Sequence, residues 1–112
     1  MIDFRELKFG VEIETTGKSR GAVAKGIQSV VGGTIEHTGQ PAAYDPHTVT
    51  DPNSRQWKVV ADASLSDAPA NLRAEIVTPI LTYRDIPVLQ DVVRAVRRTG
   101  AQATQTCGCH IL

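Results

Sequence analysis

The sequence predicts an α+β domain in which two helices lie on one face of a mostly antiparallel sheet, and three observations carry that reading. The chain has 112 residues, enough for one core, and residues 1–112 read as a single domain. Its apolar residues change period, from strict alternation over Leu7 to Glu14 to helical spacing at Val23, Ile27, Val30 and Val31, and again at Ile86, Leu89, Val93 and Val96. The segments follow the order β-α-β, loop, β-β-α-β, which places both helices on one side of the sheet.

The first strand is the most informative element. Leu7, Phe9, Val11 and Ile13 alternate with Lys8, Gly10, Glu12 and Glu14, the pattern of a half-buried strand. The alternation puts Glu12 and Glu14 on one face, about 6.6–7 Å apart along the backbone. Like charges that close repel unless a cation sits between them. Two acids on a firm strand can seat a hard divalent ion; a wet sheet face carrying two solvated glutamates is the competing reading.

Ser19 then offers an N-cap to the first helix and Gly32-Gly33 a stop. Thr34 to Thr38 reads as a short strand. Gly39 to Ser54 is rich in Pro, Asp, Asn and Thr and reads as one long loop, of a length that is often functional. Trp57 to Asp62 resumes strand character and gives way to a polar linker from Ser64 to Asn71. Leu72 to Leu81 is the next strand, with Pro79 near its end. Asp85 before the second helix and Gly100 after it supply its caps. Ala101 onward reads as a last strand.

Parity along these strands makes a testable point. If the apolar residues face the helices, the other face carries Glu12, Glu14, Lys58, Asp62, Arg73 and Glu75. In the last strand Cys107, Cys109 and Ile111 turn inward, leaving His110 on the outer face with the acids.

Composition excludes several classes of function. Twelve acids balance twelve bases, so no net field favours nucleic acid or an anionic membrane. Scarce aromatics weaken any case for base stacking. No apolar run has membrane-spanning length, and the first residues do not read as a signal peptide. Cys107 and Cys109 are too near each other for an ordinary structural disulfide, so a reduced, cytoplasmic compartment is expected.

Three patterns are decoys. Gly17-Lys18-Ser19 copies the end of a P-loop, but that motif needs glycine at position 12, where Glu12 stands. Cys107, Cys109 and His110 look like a zinc cluster, yet on a strand the thiols and the imidazole point opposite ways. His37 and His47 read as surface or loop histidines with no partner.

Three segments together resemble the amidoligases, a branch of the carboxylate–amine ligases with a glutamine synthetase-like fold. Phe9-Gly10-Val11-Glu12-Ile13-Glu14 is similar to that family's opening Phe-Gly-x-Glu-x-Glu strand. Trp57 to Ser64 is followed at a suitable distance by Glu75 to Leu81. Cys107-Gly108-Cys109-His110-Ile111 resembles the family's Cys-Gly-x-His-Val-His strand, although Leu112 replaces its second histidine.

The resemblance implies part of a glutamine synthetase-like domain and an ATP- and Mg²⁺-dependent reaction. A carboxylate becomes an acyl phosphate, and an amine then displaces phosphate to form an amide. It implies Glu12, Glu14, Asp62 and Glu75 as metal ligands, with Glu14 and Glu75 also catalytic. Lys58, Arg73 and His110 would contact the nucleotide. The partners expected are small-molecule or peptide substrates carrying a carboxylate and an amine. Family members continue for about as long again, so the chain corresponds to an N-terminal half, and a homo-oligomer or a missing C-terminal half would complete the site. The alternative is a non-catalytic fragment serving as an interaction or oligomerisation module through an exposed sheet edge. A third reading is a metal-binding module indifferent to ATP.

Overall fold

The computed structural model describes residues 6–61, 69–102 and 109–111, the last three by backbone alone. Asp62, Cys107 and Leu112 lie outside the described residues, as does much of the predicted linker from Ser64. In chain order the elements are β1 (Lys8–Phe9), β2 (Val11–Thr16), α1 (Arg20–Val31), β3 (Thr34–His37), β4 (His47–Thr50), β5 (Gln56–Val60), β6 (Arg73–Val77), β7 (Leu81–Thr82), α2 (Ile86–Arg98) and β8 (Cys109–Ile111).

Six strands form one sheet in the order β3-β4-β5-β6-β2-β8, and β1 pairs with β7 beside it. Every ladder between these strands is antiparallel. The two helices pack on each other, and α1 lies against β3 to β6. The α+β class with two helices on a mostly antiparallel sheet is therefore what the chain adopts.

The core sits between the helices and one sheet face. Val23 and Ile27 of α1 and Val92 and Val96 of α2 meet Val49, Trp57, Val59, Ala74 and Ile76 from the strands, with Leu81 from β7. Each large side chain buried this way contributes roughly 1.5–3 kcal/mol relative to exposure. The inward strand residues alternate with outward ones that are mostly polar, so the same period that builds the core leaves the charged residues on the opposite face.

Local signals worked at the first helix. Ser19 Oγ accepts from the Ala22 N–H at 3.2 Å, and the Gly32 N–H closes the last turn on the Gln28 carbonyl at 2.9 Å.

Four expectations need correction. The predicted first strand breaks at Gly10: β1 pairs with β7, and only β2 joins the large sheet. The predicted strand from Leu72 to Leu81 is a 3₁₀ turn (Ala70–Leu72), then β6, then β7. Pro79 cannot donate to a ladder; before it, Thr78 Oγ1 accepts from the Val11 N–H at 2.9 Å, and the Thr78 N–H reaches the Val11 carbonyl at 3.0 Å. The loop predicted from Gly39 to Ser54 contains β4, a strand with one buried apolar residue, Val49. Its pairing with β3 and β5 supplies what its own sequence lacks.

The fourth correction concerns Asp85, which does not cap α2 with its side chain. Its carboxylate turns back to accept from the Thr82 N–H at 2.8 Å and from Arg55 Nη1 at 2.9 Å. Burial pushes this carboxyl up, but the hydrogen bonds from Thr82 and the Arg55 guanidinium outweigh it and hold it below the ordinary value.

Beside it, the β4–β5 turn is organised by Asp51, whose side chain is buried. Its carboxylate accepts from the backbone N–H groups of Asn53 and Arg55 at 2.9 and 3.0 Å, and from Arg55 Nε and Trp57 Nε1 at 3.2 Å each. Burial again acts upward, and these donors, led by the Arg55 N–H, win and keep the acid ionised.

Candidate functional site

Directly paired residues in a ladder share a face, so the register decides which predicted residues meet. Glu14 stands opposite Glu75, and Glu12 opposite Val77. Glu12 is also opposite His110 on the other side, and Lys58 is opposite Val77. One row across the sheet therefore runs Lys58, Val77, Glu12, His110, and the next runs Val60, Glu75, Glu14. A third row pairs Arg73 with Thr16. All of these positions lie on the face away from the helices.

Side chains directly opposite each other in an antiparallel pair have Cβ atoms about 4.5–5.5 Å apart, and diagonal neighbours about 7–8 Å. That puts Glu14 and Glu75 side by side and Glu12 one diagonal from Glu75. Lys58 and His110 stand three strands apart, roughly 14 Å at the usual spacing. The three glutamates and Arg73 are partly buried, whereas Lys58 is exposed. Glu14, Arg73 and Glu75 each take part in a polar or electrostatic interaction. Of the predicted set, Asp62 lies outside the described residues, and His110 is placed by register alone.

An open groove of about 400 Å³ runs beside this face, lined by Gln56, Lys58 and Val77 and by the Thr78-Pro79-Ile80 segment. It borders the Lys58 end of the first row, two strands away from Glu14. The face thus offers carboxylates at one end and a cation beside a groove at the other. Oxygen donors of this kind suit hard divalent ions, and an anion such as a phosphate suits the lysine end.

Glu12, Glu14 and Glu75 share the face but do not bring three oxygens within 4.8 Å of one another. Among the described residues, the group of three metal-ligand types whose donor atoms all lie within 4.8 Å of one another is His37, Asp45 and His47. This corrects the expectation that the two histidines lack partners. They sit opposite each other at the end of the β3–β4 hairpin, with rings stacked at 3.8 Å and 14°. His37 Nε2 lies 2.6 Å from Asp45 Oδ1. Arg20 Nε holds Asp45 Oδ2 at 2.9 Å. The His37 hydrogen bond lowers the Asp45 pKa, burial opposes it, and Arg20 adds to the lowering. The missed strand concealed this cluster. Once His37 and His47 are known to pair, their proximity follows.

Cys109 registers with Ile13 and His110 with Glu12. The two positions belong to opposite faces, as the alternation of a strand requires.

A family model described as "putative amidoligase enzyme" matches residues 5–111. No curated protein and no solved structure matches the chain.

Proposed function

The chain belongs to the amidoligase enzyme family, and on that footing we propose that it is an ATP- and Mg²⁺-dependent carboxylate–amine ligase whose site is the open sheet face. The observation that supports this most is the direct pairing of Glu14 with Glu75, with Glu12 on the same face. Side chains paired in this way have Cβ atoms about 4.5–5.5 Å apart, close enough for one hydrated dication to meet both carboxylates. Mg²⁺ takes oxygen ligands, keeps several waters and binds through one or two carboxylates plus phosphate oxygens. Glutamates that share an open face without forming a tight three-donor group fit that manner of binding better than a closed protein cage.

In this reading Glu12, Glu14, Glu75 and Asp62 would hold the metal; Asp62 lies outside the described residues. Bound magnesium would neutralise the phosphates and the incoming carboxylate, all of them anions. Lys58, Arg73 and His110 would orient the nucleotide through its phosphate oxygens. The substrate carboxylate oxygen bonds to the γ-phosphorus as ADP leaves. The amine nitrogen then bonds to the acyl carbon, phosphate departs, and the amine gives up a proton. Because the protein forms no covalent bond in such a reaction, positioning and charge compensation are its main tools. The glutamine synthetase-like fold and the use of small-molecule or peptide substrates belong to the same proposal.

Mg-ATP binding is tested by thermal denaturation of the full chain. A ligand that binds only the native state stabilises it by about 2.7 kcal/mol at a hundredfold excess over Kd. The melting temperature should therefore rise with Mg-ATP at millimolar concentration, and by much less with either component alone. Glu14→Gln and Glu75→Gln should each remove the rise while the variants remain folded by circular dichroism. A wild-type chain with no shift would overturn the proposal.

A further inference from the structure

We propose that His37, Asp45 and His47 form a binding site for a transition-metal dication of the Zn²⁺ type, separate from the carboxylate face. The three residues offer two nitrogens and one oxygen within 4.8 Å of one another. Imidazole donors select zinc, copper or nickel, whereas magnesium prefers oxygen. Zinc commonly takes three protein ligands and leaves a fourth position to water.

Neighbouring groups already restrain the donors. Arg20 Nε occupies Asp45 Oδ2, which leaves Oδ1 turned to His37. The same guanidinium is anchored independently, since its Nη1 donates to the carbonyls of Arg73 at 2.8 Å and Ala70 at 3.1 Å. A ring nitrogen of His47 lies 3.1 Å from the Asp45 carbonyl, the sort of outer contact that orients a ligating histidine.

Tetrahedral zinc at ordinary bond lengths separates its ligand atoms by about 3.3 Å. The 2.6 Å His37–Asp45 contact must therefore open by less than an ångström. The proton shared there gives way to the ion, and the His37 ring, as a neutral ligand, carries its one proton on Nδ1. His37 is about half exposed, with 47% of its side chain accessible, so its ring can tilt out of the stack.

Location distinguishes this site from the first. His47 registers with Val59, a core residue of the helix-covered face, whereas Glu12, Glu14 and Glu75 belong to the opposite face. A bound ion would tie the facing ends of β3 and β4 to Asp45 in the loop that joins them, next to the start of α1.

Titration of the full chain with ZnCl₂, followed calorimetrically with magnesium in excess, tests the idea. About one Zn²⁺ per chain should bind, and His37→Ala should weaken it by roughly tenfold or more, since losing even a group behind a ligand costs about 10–100-fold. Asp45→Asn should weaken it as well. Glu14→Gln and Cys109→Ser should leave it unchanged. Zinc bound equally well by His37→Ala, or lost instead with Cys109→Ser, would show that the ion sits elsewhere and overturn the proposal. Because His37 is partly exposed, its replacement should leave the fold intact, which circular dichroism checks. The outcome is independent of the Mg-ATP experiment, which the His37→Ala chain should still pass.

Discussion

Replacing Asp51 with alanine is expected to lower stability by about 3–5 kcal/mol, the cost typical of breaking a buried, hydrogen-bonded charge. The carboxylate satisfies four donors at once, and one of them, the indole of the fully buried Trp57, has no route to water of its own. Arg55 suffers less, because Asp85 still holds it. For a chain of this size the melting temperature should fall by roughly 10–25 °C. Equilibrium denaturation in urea measures the change directly.

Acid should erase the difference between the two chains. The Asp51 carboxyl is depressed below its ordinary value of 3.8 in the folded state. A depressed acid contributes stability that is present above the unfolded value and lost as pH falls through the folded one. The wild-type advantage should therefore be full at neutral pH and shrink below about pH 4. An advantage that persisted unchanged into strong acid would mean that the aspartate acts through packing rather than charge.

Gly33→Ala is the second large effect expected, a loss of roughly 2–5 kcal/mol. Gly33 joins α1 to β3 at a φ of +79°, and a Cβ there would stand 1.8 Å from the Thr50 carbonyl oxygen and 2.9 Å from the Asp51 Cα. Both are backbone atoms of the strand and turn that Asp51 organises, so neither can swing aside. Gly39 provides the control. Its φ is +74°, yet a Cβ there meets nothing within 4 Å, so Gly39→Ala should cost only the conformational strain of about 1–2 kcal/mol. Comparing the two variants by thermal melting separates steric conflict from backbone preference. Equal losses would show that the close approach of Gly33 to β4 does not matter.

Much of the outer face was legible because strand parity is a local property. Glu12 and Glu14 alternate with Val11 and Ile13 whatever the partners are. Once β2 and β6 pair by their apolar residues, as Ile13 does with Ile76, Glu75 must share the face with Glu14. The strand β4 was less legible. Its sequence carries a single core residue and proline on both sides, so its own residues argue for a loop, and the energy that makes it a strand comes from its neighbours. Two histidines ten residues apart gave no sign of meeting until that hairpin existed. Asp51 and Asp85 were equally opaque: each reads as a turn or capping residue, and both are ordered by Arg55.

The sequence by itself determined the α+β class, the two helices, the division of the sheet into an apolar and a polar face, and the family to which the chain belongs. Periodicity and motif order are written in neighbouring residues and survive without knowledge of contacts. Tertiary structure alone decided the strand order, the pairing of Glu14 with Glu75, the burial of Asp51 and the gathering of His37, Asp45 and His47. Those depend on turn geometry and on pairing between distant segments, where one residue of register decides which side chains meet.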